Sequence, residues 1–231
     1  MEIQIAVAKV DRFYSGEQGD QVEVIERPHG GISVILGEGK LNGQRSKEIS
    51  RNAVHRVLSL IFDGIHDGAA SRAVLSALKA EHHGEAELSL NILSCDLETS
   101  TILLTKNNPV PVILVRNDHD NLISYTESEA FDPLKPTVYQ FPIENNFTVV
   151  MFSDGIASAG AGFGQPLQWG DLMETILDEP DLSVQQLADQ LLNQAVSLDL
   201  GNPHDDMTVV VIRVNRRQGK PIRRISMVLP V

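Results

Sequence analysis

NPHDDMTVVV (202–211) sets two adjacent carboxylates, Asp205 and Asp206, directly ahead of a run of β-branched residues that continues to Val214. Such a run reads as a buried strand, so the acids stand at its mouth. The same setting recurs in FTVVMFSDG (147–155), where Asp154 follows a strand and precedes Gly155. Asp20 follows Gly19 ahead of the strand VEVIE (22–26), and Glu38 lies between Gly37 and Gly39 after ISVIL (32–36). Each Gly-Asp or Asp-Gly pair alone is an ordinary turn signal. Together they are four carboxylates at strand ends, and if the strands lie side by side the acids repel one another unless cations sit between them. Carboxylate oxygens suit magnesium or manganese, and glycine lets a backbone carbonyl approach an ion closely.

The 231 residues, 42% hydrophobic and 22% charged, fit one globular domain with a packed core. A formal charge of −12 disfavours a phosphate backbone, so no nucleic-acid partner is expected. The single cysteine, Cys95, forms no internal disulfide, and MEIQIAVAKVDR lacks the order of a signal peptide, which points to the cytoplasm. Apolar runs such as TVVMF (148–152) are too short to cross a bilayer, and no membrane association is expected.

IQIAVAKV (3–10), VEVIE and ISVIL read as strands, the last two forming a hairpin over RPHGG (27–31). From Ser46 the period changes: Ile49, Ala53, Val57 and Ile61 mark one face of a helix that ends near Gly64. A second helix spans 69–83 and stops at Gly84. LSLNILSCDL (88–97), STILLTKN (100–107) and VPVILVRN (110–117) form a meander, and strand character continues through LISYTE (122–127), TVYQFP and FTVVMF. Helical period returns at 168–177 and 183–198, the latter opened by a capping box of Ser183 and Gln186. Strand blocks followed by helix pairs indicate antiparallel sheets within an α+β fold.

The segments GDQVEV (19–24), GEGKLNGQRSKEIS (37–50), SDGIASAG (153–160) and DDMTVVVIRV (205–214) resemble, in order, the motifs of the metal-dependent protein phosphatases of the PPM type, in their bacterial stage II sporulation E and RsbX-like branch. TKNNPVPVILV (105–115) is similar to that branch's glycine-histidine-proline connection, with Asn107 and Asn108 in place of its first two residues. The resemblance implies a four-layer αββα sandwich with two mainly antiparallel sheets flanked by helix pairs. The phosphatase domain would span 1–214, with a basic extension at 215–231. It also implies a site for two manganese or magnesium ions held by Asp20, Glu38, the carbonyl of Gly39, Asp154 and Asp205, with Glu38, Asp154 and Asp205 serving catalysis and Gly155 and Asp206 in support. His204, next to Asp205 in the chain, either tunes a ligand or meets the leaving group, or simply lines a loop. Glu38 stands where the family has a bridging aspartate and is one methylene longer. An alternative alignment puts Leu36 there and removes the ligand, whereas Glu38 keeps the following helix in register. Arg12 and Lys40 are candidate phosphate contacts, against the commoner role of a solvated side chain.

The implied chemistry is attack of a metal-activated water on phosphoserine or phosphothreonine in a partner protein of a bacterial switch, such as an anti-sigma antagonist or a stressosome-like protein. No G-x-S-x-G elbow, no phosphate loop around Cys95 and no Walker A motif offers another route. Cys95 reads as a small buried hydrophobe, and His82 and His83 lack a third zinc ligand. Residues 157–170 match the family's variable flap or are a plain surface loop anchored by Trp169. Two rivals stand beside the phosphatase: a phosphatase-like binding module weakened at Glu38, and an unrelated metal-dependent hydrolase of small phosphoesters.

Overall fold

The computed structural model describes residues 1–12, 19–116, 123–124, 132–216 and 227–228. Two antiparallel sheets lie face to face. The first runs β1 (Glu2–Val10), β11 (Met207–Asn215), β10 (Phe147–Phe152), β7 (Ile113–Arg116) and β8 (Ile123–Ser124). The second runs β2 (Asp20–Glu26), β3 (Gly31–Leu41), β5 (Ala86–Asp96), β6 (Thr101–Lys106) and β9 (Thr137–Pro142), with the short β4 (Gln44–Arg45) paired to β3. Helices α1 (Lys47–Phe62) and α2 (Asp67–Glu81) cover the second sheet. Helices α3 (Asp154–Ser158), α4 (Trp169–Asp178) and α5 (Val184–Leu198) cover the first. This is the expected four-layer αββα sandwich.

Period-two patterning builds the layers. Along β3, Val34 joins Leu93, Leu104, Met151 and Ile212 in the core between the sheets, while Ile35 turns outward to Val54, Val57 and Ile61 of α1. The third core packs Val209 and Val211 of β11 against Leu187, Leu191 and Ala195 of α5. Between β6 and β7 the chain crosses from one sheet to the other, and two buried asparagines satisfy the backbone there. Asn107 accepts from Leu90 N–H at 2.7 Å and donates to Leu88 C=O at 2.8 Å, while Asn108 accepts from Val110 N–H at 3.1 Å.

Several boundaries differ from the sequence reading. The strand expected at 110–117 begins only at Ile113, because Pro109 and Pro111 have no N–H for a ladder. Helix α2 starts at Asp67, two residues before the expected 69, where the buried Asp67 carboxylate meets Arg27 at 2.7 Å and Ser94 at 2.5 Å. Asp154 opens a short helix, α3, where strand character was expected to run on to Gly155. Of LISYTE only Ile123 and Ser124 are described. Of the basic extension, Arg217, Lys220, Arg223 and Arg224 lie outside the described residues, and β11 ends at Asn215, next to the expected boundary.

The most consequential difference is β3. It does not stop at Leu36 but runs to Leu41, so Glu38 and Lys40 are strand residues and not part of a glycine-rich loop. Gly37 and Gly39 alternate onto the α1 face, where a Cβ at Gly37 would stand 2.5 Å from Val54 Cγ2 and one at Gly39 would stand 2.6 Å from the Ser50 nitrogen. The glycines let α1 close on the strand, and the alternation sends Glu38 to the opposite face. Gly37→Ala should therefore overpack against the stiff Val54 and cost about 1–3 kcal/mol. Urea unfolding should show a lower midpoint at unchanged slope, and adding Val54→Ala should recover part of the loss.

Candidate metal centre

Strand direction brings the acids together. Asp20 opens β2 and is paired with Glu38 directly across the ladder, a register that sets two like charges opposite each other. In the other sheet, β10 delivers Asp154 just past its end, beside Asp205 and Asp206 just before β11, and Ser153 N–H bonds Thr208 C=O at 3.1 Å. The two sheets are stitched at this end by Thr208 Oγ1, which donates to Asp20 Oδ2 at 2.7 Å. Asp20, Glu38, Asp154 and Asp205 thus meet at one end of the sandwich.

Between them lies a side chain that the sequence reading did not single out. Asn42 and Gly43, both with positive φ (51° and 75°), make a two-residue hairpin turn from β3 into β4. The turn sets Arg45 opposite Lys40, placing both beside Glu38 at the acid cluster. The Arg45 guanidinium reaches Asp154 Oδ1 at 2.6 Å, Asp20 Oδ1 at 3.4 Å and Asp205 Oδ2. Lys40 Nζ adds a looser pair with Asp154 Oδ2 at 3.6 Å. An Asn-Gly pair between strand-forming residues was the signal in the sequence for this return of the chain.

The supporting residues have definite tasks. Asp206 is buried and its carboxylate accepts the main-chain N–H groups of Arg12 (2.9 Å), Gly19 and Asp20 (3.2 Å), so it fixes the segment leading into β2. Arg12 enters the site through this backbone contact, and its side chain is exposed. Gly155 is required because a Cβ would sit 2.0 Å from the Asp206 carbonyl oxygen. The Gly39 carbonyl accepts from Ser46 N–H at 2.8 Å, tying the site to the start of α1. Leu36, the alternative to Glu38, is fully buried. His204 is exposed, and its Nδ1 lies 3.1 Å from the buried Asp199. Asp199 also accepts from Gly160 and His204 N–H, and Phe163 of the flap stacks edge-on against the His204 ring at 5.1 Å. Trp169 anchors the far end of the flap on Phe152. Cys95 is buried next to the end of β5, and burial pushes its thiol up to about 12.

Electrostatics separates the acids. Burial raises Asp20 to about 7, with Asp206 adding to the rise against Thr208 and Arg45. Burial likewise raises Glu38 well above the usual carboxylate range, reinforced by the charges of Asp20 and Asp154. Asp154 is partly buried, which alone would raise it, but its hydrogen bond with Glu38 and the Arg45 guanidinium outweigh that and hold it low. At Asp205 burial outweighs Arg45, and the carboxyl rises. Three carboxylates hold the Arg45 guanidinium more firmly protonated in spite of its burial.

The donor set, carboxylate oxygens from four separate places in the chain, is the chemistry that magnesium and manganese select. Its present arrangement is closed around Arg45. Among the described residues no group of three or more His, Cys, Asp or Glu stands ready to hold an ion. Asp20, Glu38, Asp154 and Asp205 are the residues that would hold one, after the guanidinium leaves.

The raised groups set the pH dependence of the metal-free protein. Asp20 keeps a proton in the native state that the unfolded chain releases near pH 4, so its contribution is fully present below that pH and lost as pH rises through about 7, and Glu38, raised by burial, acts with the same sign. Asp154, shifted the other way, acts only at lower pH. With chelator present, stability to urea should fall from about pH 5 to about pH 8 by on the order of 1 kcal/mol or more, and Asp20→Asn should flatten that slope.

Comparison with known proteins bears on the family and the fold. The profile of the family described as Stage II sporulation protein E (SpoIIE) matches residues 42–215. Stage II sporulation protein E of Priestia megaterium is 22% identical over 204 residues, covering 87% of this chain and 34% of its own length. The chain therefore spans about a third of that relative. Among solved structures, the phosphatase domain of SpoIIE from Bacillus subtilis superposes with a TM-score of 0.69 at 20% identity, covering 99% of this chain and 98% of its own. The catalytic domain of the serine/threonine phosphatase PstP, solved with two manganese ions, gives a TM-score of 0.67 at 17% identity, covering 93% and 99%. With its profile match running from Asn42 through the Asp154 and Asp205 segments to Asn215, this chain belongs to the SpoIIE family of PP2C-type phosphatase domains.

Proposed function

We propose that this domain hydrolyses phosphoserine or phosphothreonine in a partner protein, with two manganese or magnesium ions held by Asp20, Glu38, Asp154 and Asp205. The observation that carries the reading is the convergence of Asp20, Asp154 and Asp205, from both sheets, on the Arg45 guanidinium at the end of the sandwich, with Glu38 beside them accepting from the Asp154 N–H. When bound, the ions would supply Lewis-acid activation of the phosphoryl group and of the attacking water. Asp206 and Gly155 keep the ligand-bearing segments in register, and Lys40, partly exposed beside Asp154, is placed to meet a phosphate oxygen. The flap carrying Phe163 stands against His204 at the rim, where a protein substrate would approach. A partner such as an anti-sigma antagonist or a stressosome-like protein, in the cytoplasm, fits the family.

A second reading, a phosphatase-like binding module, is favoured by Glu38. Its longer carboxyl has closed onto the backbone N–H of Asp154 at 3.3 Å and shares a hydrogen bond with that side chain. Manganese-dependent phosphate release from phosphoserine and phosphothreonine peptides decides between the two. The wild type should turn over, and Asp205→Ala should lose on the order of 100-fold or more. An inert wild type that gains turnover in Glu38→Asp would establish the module instead, and preference for a small ester over the peptide would point to the small-phosphoester hydrolase.

A further inference from the structure

We infer that Arg45 is a tethered cation that competes with divalent metal for the same carboxylate oxygens and thereby sets the affinity of the site. The inference rests on the metal-dependent reading above and adds the residue that governs metal loading. Oδ1 of Asp154, Oδ1 of Asp20 and Oδ2 of Asp205 are all engaged by one guanidinium, whose side chain is only 17% exposed. An ion bound to these oxygens and a guanidinium donating to them cannot share the space, so the two occupancies exclude each other.

The charges explain why the place is filled. Asp20, Glu38, Asp154 and Asp205 bring four carboxyl groups to one sheet end, and a cluster of that kind needs positive charge among its members. Arg45 and Lys40 supply it from within the chain. A planar guanidinium with several N–H donors suits three carboxylates at once, which an ammonium does not.

The local architecture allows Arg45 to leave. It lies on β4, a strand of only two residues whose ladder consists of Lys40↔Arg45 and Leu41↔Gln44. On one side is the Asn42-Gly43 turn and on the other Ser46, the N-cap of α1. Withdrawal requires rotamer changes in one long side chain and leaves the sheets intact. The closed form is thus a metal-free state with its own counterion, and the apparent metal affinity is reduced by the fraction of molecules in which Arg45 is in place.

Manganese binding by calorimetry to the full chain, with wild type, Arg45→Gln and Arg45→Lys, tests this beside urea unfolding in chelator. Arg45→Gln should bind manganese on the order of 10- to 100-fold more tightly and unfold at lower urea when metal-free, with Arg45→Lys between. If wild type binds manganese and Arg45→Gln binds it no more tightly, Arg45 is no competitor and the inference is overturned while the metal reading stands. If neither binds manganese, the metal reading falls and the inference falls with it. Should Arg45→Gln not fold, side-chain ¹⁵N spectra of the wild type during magnesium titration serve instead. A guanidinium signal absent from Arg45→Lys that moves to the free-arginine position supports displacement; one unchanged at saturation overturns it.

Discussion

Concentrated negative charge at one end of two packed sheets is the constraint around which this molecule is arranged. Asp20 and Glu38 face each other across one ladder, while Asp154 and Asp205 emerge side by side from the other sheet. Hydrophobic burial between the sheets brings these ends together with no regard for charge, and the mutual repulsion must then be relieved. The protein does so in two ways: it raises the proton affinity of Asp20 and Glu38, and it inserts Arg45. Both are responses that a pair of divalent ions would replace.

The surrounding structure keeps that end rigid while leaving the guanidinium removable. Asp206 spends both carboxylate oxygens on backbone N–H groups leading into β2, and Gly155 admits the Asp206 carbonyl where any side chain would collide. Gly37 and Gly39 draw α1 against β3, and Ser50 of that helix donates to Gly19 C=O at 2.5 Å, so helix, strand and loop are fastened at one point. Arg45 alone reaches the acids from a two-residue strand. A long side chain on a minimal element is what a reversible plug requires, since its withdrawal breaks few backbone bonds.

The positions of the acids relative to their strands were readable at Asp154 and Asp205, because a β-branched run ending in Ser-Asp-Gly or beginning after Asp-Asp leaves little choice of register. Glu38 was read at a strand end just after ISVIL, whereas β3 carries on through it to Leu41, since Gly37 and Gly39 look like strand breakers until α1 is seen lying on them. Asp199 gave no sign at all; its work on Gly160 and His204 depends on the end of α5 meeting the flap.

Local pattern in the chain was sufficient for most strands and helices and for antiparallel sheets in an α+β fold: period two for the strands, period near four for α1 and α5, a capping box at Ser183, and the acids at strand ends. These are decided by residues within a turn or a pleat of one another, which is the range over which a sequence is self-explanatory. Tertiary structure alone decided what lies among the acids. Arg45, Asp20, Asp154 and Asp205 are separated by up to 160 residues in their contacts, and which cation satisfies a buried cluster depends on distances in space that no local period encodes.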